Sequence, residues 1–148
     1  MSVFQLNQFK LTNILGELMN PGGNTISGRL ISTLSGSVKA GDVLKLAATE
    51  AGDAPVFDKA VSGDSGHGVV LFQAKKATFV ANDMVELTLA GGIISMAANG
   101  TINRGSLVSW NSVSGLLQST SGNYIGYALD VANASGDIIR VFVQPKLS

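Results

Sequence analysis

Gly63-Asp64-Ser65-Gly66 is the stretch of this 148-residue chain that comes closest to a site for nucleophilic chemistry. A serine nucleophile needs a His base against its hydroxyl and a carboxylate that orients the His. The chain has one His, His67, two residues after Ser65 and inside the same turn or strand. Enzymes that use this motif take the His from a distant part of the chain, well before the Ser. Gly, Asp and Ser are also turn formers. The stretch therefore reads as a turn, and His67 as a strand residue at a surface.

Carboxylate chemistry finds no better footing. Asp42, Asp83 and Asp137 each sit in a turn, and Asp53 and Asp58 flank Pro55. No spacing proposes two carboxylates facing across a cleft, as glycoside hydrolysis requires. With no Cys and one His, a metal-ligand set is not on offer. Gly22-Gly23 and Gly91-Gly92 lack the strand, Gly-rich loop and helix that cradle a phosphate. No catalytic, cofactor or metal residue is assigned, and the chain is not expected to be an enzyme. Trp110, Tyr124 and Tyr127 are a candidate sugar-stacking platform, although packing is the commoner fate of strand aromatics. Asn99-Gly100-Thr101 and Asn133-Ala134-Ser135 match the glycosylation pattern but read as turns.

The totals narrow the partners. Charged residues make up 14% of the chain, ten of each sign, against about 25% in ordinary globular domains. Nucleic-acid binding needs clustered Lys and Arg to displace counterions, so a nucleic-acid partner is not expected. No apolar run approaches the roughly 20 residues of a spanning helix, and no membrane partner is expected. The N-terminus lacks the pattern of a secretory leader. A low charge content with many small residues suits a surface that neighbours cover.

What positions these residues is a short unit that recurs. It reads Ala40-Gly41-Asp42-Val43-Leu44-Lys45-Leu46, then Ala81-Asn82-Asp83-Met84-Val85-Glu86-Leu87. It returns as Arg104-Gly105-Ser106-Leu107-Val108-Ser109-Trp110 and as Ser135-Gly136-Asp137-Ile138-Ile139-Arg140-Val141. Gly or Asn tolerates a positive φ, Asp or Ser closes a turn on its own backbone, and the alternation that follows is that of a strand. Gly68-Val69-Val70-Leu71-Phe72 precedes the second copy, and Gly126-Tyr127-Ala128-Leu129-Asp130 precedes the fourth in the same way. This internal similarity points to a barrel or sandwich of related hairpins. Other strands are predicted over 26–34, 56–61, 77–80, 93–97 and 116–118, with Gly91-Gly92 and Asn99-Gly100 as hairpin turns.

The fold class is thus all-β, a small antiparallel barrel or sandwich over residues 25–148, preceded by an arm over residues 1–24. In the arm, Val3 to Phe9 begins with alternation, while Leu11, Ile14, Leu15 and Leu18 fall at helical spacing. A short helix and an extended segment both fit. Phe4, Leu6, Phe9, Leu11, Ile14, Leu15 and Leu18 are its candidate contact residues, either on the chain's own barrel or on a neighbouring subunit.

The order of these motifs along residues 37–144 resembles the small capsid decoration (cement) proteins of tailed bacteriophages. The resemblance implies a β-rich protein on the outside of the virion, bound to the phage major capsid protein. It also implies that the protein bridges neighbouring coat subunits and reinforces the shell. That family has no catalytic residues to carry over. A homo-oligomer is expected, with a trimer favoured because it matches local three-fold positions of an icosahedral lattice. A tail or head-fibre component and a carbohydrate-binding β-module are the other readings.

Overall fold

The computed structural model describes residues 14–19, 24–52, 54–62, 66–119 and 123–146. Their elements are all strands: β1 (Thr25–Leu30), β2 (Val38–Lys39), β3 (Val43–Leu46), β4 (Val56–Lys59), β5 (Gly68–Val70), β6 (Thr78–Phe79) and β7 (Met84–Thr88). There follow β8 (Ile93–Ala97), β9 (Leu107–Asn111), β10 (Gly115–Gln118), β11 (Gly126–Ala128) and β12 (Ile138–Val143). The expected all-β class holds, and so does the barrel.

Strands β1-β4-β3-β5-β7 close into a five-stranded barrel, and β10-β9-β11-β12-β8 form a second sheet. Every barrel pairing is antiparallel except β1 with β4, which run parallel through Arg29↔Val56 and Leu30↔Phe57. The second sheet curls until its two edge strands meet, in a parallel bridge between Ala98 and Leu116. Strand for strand, β1, β3, β4, β5 and β7 therefore correspond to β8, β9, β10, β11 and β12. The hydrogen bonds repeat as well. Gly41 N donates to Val70 O at 2.8 Å, and Gly105 N donates to Ala128 O at 2.7 Å. Asn82 N donates to Leu30 O at 3.1 Å, and Gly136 N donates to Ala98 O at 2.8 Å. Ile31 N donates to Phe57 O at 2.9 Å, and Asn99 N donates to Leu116 O at 2.7 Å. The short β2–β6 pair has its counterpart in the Ile102↔Ala132 bridge. The chain is one five-stranded unit built twice.

The recurrent turns explain how. In each, the Asp or Ser amide donates to the carbonyl three residues back: Asp42 to Lys39, Asp83 to Val80, Ser106 to Asn103 and Asp137 to Ala134, at 3.0–3.3 Å. The residue before it has positive φ: Gly41 at 88°, Asn82 at 70°, Gly105 at 84° and Gly136 at 95°. A side chain pays roughly 1–2 kcal/mol for that conformation, which is why Gly holds three of the four places. The Asp carboxylates then accept backbone N–H groups, Lys39 on Asp42 at 3.0 Å, Val80 on Asp83 at 2.8 Å and Asn133 on Asp137 at 2.9 Å. Turn duty for these three carboxylates is what the sequence proposed.

Period-two alternation lets single strands serve two cores. Leu44 and Val70 point into the barrel with Leu30, Phe57, Phe79, Val85 and Leu87. Their neighbours Val43 and Val69 point the other way and join Ile94, Met96, Trp110, Leu116 and Val141 inside the second sheet. The two units share a wall, and burying side chains of this size contributes about 1.5–3 kcal/mol each.

Two sequence expectations change. Gly91-Gly92 does not close a hairpin, because β7 belongs to the barrel and β8 to the second sheet. Asn99-Gly100 does not close one either, since β8 pairs with β12 and β9 with β10 and β11. Gly-rich dipeptides report a local turn, and strand pairing here is decided by non-local cores.

Candidate docking surfaces

The arm residues divide by position. Phe4, Leu6, Phe9 and Leu11 lie outside the described residues. Ile14 is 38% exposed and accepts from Glu17 N at 2.9 Å, closing a turn. After that turn the segment runs extended along β8. Gly16 N donates to Ser95 O at 2.7 Å, Ser95 N to Glu17 O at 3.1 Å and Met19 N to Ile93 O at 2.7 Å, with Leu18 opposite Ile94. Leu15 lies over Gly41, where an added Cβ would come within 2.8 Å of its side chain. Phe72 N donates to Gly16 O at 3.0 Å, so the barrel grips the same segment from the other side. Residues 14–19 thus bind their own body, in the seam between the two units.

Beside that seam is a cleft of about 110 Å³, lined by Leu15, Lys39, Asp42, Trp110, Val113 and Ser114 among others. Small-molecule sites occupy ~300–1,000 Å³, so this one is too small for a sugar chain. Trp110 is 8% exposed and belongs to the core, and Tyr127 stacks on Phe142 with ring centroids 5.2 Å apart. Trp110 and Tyr127 are thus engaged in packing within the chain. Above the cleft the β9–β10 tip presents Val113, 94% exposed. The tip is held in shape by Asn111 Oδ1, which accepts from Val113 N at 2.9 Å and Ser114 N at 3.1 Å. A bond from Ser112 N to Ser62 Oγ at 3.0 Å ties it to the barrel.

Many of the ionisable groups are held by the scaffold. His67 Nδ1 accepts from Leu46 N at 3.0 Å, and Ser65 lies outside the described residues. Asp130 receives Arg140 in a two-pronged pair at 2.9 and 2.6 Å, and that hydrogen bonding holds its carboxyl below the usual range. Glu50 is held low by the Ser32 hydroxyl first and by Arg29 second. Asp83 is held low by Lys76, 2.9 Å away, and by the Val80 amide. Among the described residues no group of three or more His, Cys, Asp or Glu side chains gathers as a metal site. No helix among them is long and apolar enough to cross a membrane. What the arrangement offers is a stiff body with scattered exposed apolar side chains, including Val61, Phe72, Val80 and Met84.

Comparison with known proteins follows the same line. No curated protein matches the chain. A solved structure described as the head fiber gp8.5 N base in bacteriophage phi29 is similar, with a TM-score of 0.59 and 15% identity. The likeness covers 84% of this chain and 97% of that one, and at such identity it speaks for a shared fold. A family model described as phage cement protein matches residues 29–143, from the end of β1 to the end of β12 and so across both five-stranded units. The chain belongs to the phage cement protein family, structural proteins of the phage virion placed on the capsid exterior.

Proposed function

We propose that the chain binds the major capsid protein on the outside of a phage head, bridges neighbouring coat subunits and stabilises the shell. The observation that carries this reading is the cement-family match over both units of the body. A doubled scaffold with short clamped turns and many of its charges paired within the chain is the physical form such a job needs. It works as a homo-oligomer, with a trimer favoured. Several weak contacts made at once gain from effective concentration, so none has to be strong alone. The arm residues Phe4, Leu6, Phe9 and Leu11 reach a neighbour beyond the chain's own body.

The test adds purified protein to phage shells stripped of it and measures bound copies and the temperature of shell disruption. Saturable binding with a raised disruption temperature supports the reading. Saturable binding that leaves shell stability unchanged overturns the stabilising role. A full-length variant with Phe4, Leu6, Phe9 and Leu11 changed to Ser is expected to bind with lower occupancy. The second reading, a head-fibre base, is favoured by the likeness to the phi29 head fiber N base. It is separated by electron microscopy of labelled particles, which would show fibres extending from the sites of attachment.

A further inference from the structure

The two units differ at one edge. Along β8, the backbone groups that face away from β12 are taken by residues 16–19, through the three hydrogen bonds described above. The equivalent strand is β1. Leu30 and Ala98 accept the same bond from their launching turns, so Thr25, Ile26 and Ser27 correspond to Ile93, Ile94 and Ser95. On β1 the even-numbered residues face β7, as Leu30 N to Asp83 O at 2.9 Å and Leu89 N to Asn24 O at 2.7 Å show. The odd-numbered ones face the other way: Arg29 N donates to Pro55 O at 2.9 Å, and pairing with β4 begins there, at Arg29↔Val56. By the alternation of an antiparallel ladder, the N–H and C=O of Thr25 and Ser27 point away from β7, along the outer edge of β1. They have no partner among the described residues, and both residues are exposed. Ile26, between them, packs half-buried on the barrel core.

An open edge with a half-buried apolar residue is a template for one more strand. We propose that residues Val3–Phe9 of a second copy fill the β1 edge, as residues 16–19 fill the β8 edge. The incoming strand is antiparallel, with Phe4 and Leu6 toward Ile26 and Gln5 and Asn7 toward solvent. Three observations select this occupant. The alternation of Phe4 to Asn7, within this stretch, suits an edge with one wet face. The continuation of the same segment already fills the equivalent edge, that of β8. Five residue steps link Phe9 to Ile14, a tether of about 17 Å when extended, which places the strand beside its own subunit and within reach of an adjoining one. Exchange of this kind is heterologous and closes into a ring when the rotation allows, which fits a cyclic oligomer. The inference rests on the homo-oligomer proposed above and names the contact that builds it.

The chain has no Cys, so cross-links are easy to assign. One full-length copy carries Ser27→Cys, and a second, differently tagged copy carries Gln5→Cys or Asn7→Cys. The two are mixed at micromolar concentration and oxidised mildly, and their mass is followed by light scattering before oxidation. A mixed-tag, reducible cross-link well above that of a Val113→Cys and Gln5→Cys control is expected. Hydrogen exchange gives a second readout. The Thr25 and Ser27 amides should exchange about tenfold or more slowly in the full chain than in its Phe4→Asp/Leu6→Asp variant. A mass above monomer without the cross-link overturns the docking of the arm and leaves the oligomer. Monomer mass alone overturns both. A cross-link that forms only when both Cys residues are in one chain overturns the exchange.

Discussion

Three glycines at one turn position allow the packing of the N-terminal segment to be weighed. Gly41, Gly105 and Gly136 have φ of 88°, 84° and 95°. A Cβ added at Gly105 or Gly136 would meet nothing within 4 Å, whereas at Gly41 it would lie 2.8 Å from Cγ and Cδ1 of Leu15. Gly105→Ala and Gly136→Ala therefore isolate the cost of the backbone conformation, about 1–2 kcal/mol. For a chain of this size that lowers Tm by roughly 2–8 °C. Gly41→Ala carries the same cost and in addition forces Leu15 off its seat, an overpacking penalty of ~1–3 kcal/mol. Urea unfolding of the single variants, and of Gly41→Ala in a Leu15→Ala background, completes a double-mutant cycle. The extra cost at Gly41 should disappear once Leu15 is Ala. Equal costs at Gly41 and Gly105, or an extra cost that survives in Leu15→Ala, would refute the seating of residues 14–19 on the chain's own body.

Further outcomes follow from single contacts. Gly126→Ala should leave little soluble folded protein, because its Cβ would stand 2.0 Å from the Phe142 carbonyl oxygen at the heart of β11–β12, which soluble expression measures directly. Ser95→Ala should raise stability by about 1 kcal/mol, since the buried Ser95 hydroxyl has no partner among the described residues; a fall in Tm would contradict this. Asp130→Asn should lower Tm at pH 7 and make no difference in strong acid. The depressed Asp130 carboxyl contributes stability above the ordinary carboxylate range and loses it as pH falls through its lowered value, so a difference that persists in acid would be wrong in sign.

Much of the fold was legible because its signals are local. Strands β8 and β12 fall where alternation places them, at Ile93–Ala97 and Ile138–Val143. The recurrent turn unit marks two points of each five-stranded unit, Gly41 with Gly105 and Asn82 with Gly136. The doubling itself was not legible. Only the echoes around Gly68 and Gly126 survive in sequence, while the equivalence of β1 with β8 is held by backbone bonds that any side chain permits. The same reason hid β2 and misdirected Gly91-Gly92, where a turn signal is real but the flanking strands have partners elsewhere. Ile14, Leu15 and Leu18 stand at helical spacing, yet Gly16 at φ 79° turns the chain and the edge of β8 supplies better hydrogen bonds than a lone helical turn. The edge of β1 that is open among the described residues left no sequence signal. It becomes visible only when the two units are compared.

If this protein cements a phage shell, its copy number per particle must follow the coat. Quantitative mass spectrometry of purified virions gives copies of this chain for each copy of the major capsid protein. A number on the scale of the coat lattice is expected, as a protein that bridges neighbouring coat subunits across the head requires. A handful of copies per particle, or none, would contradict it.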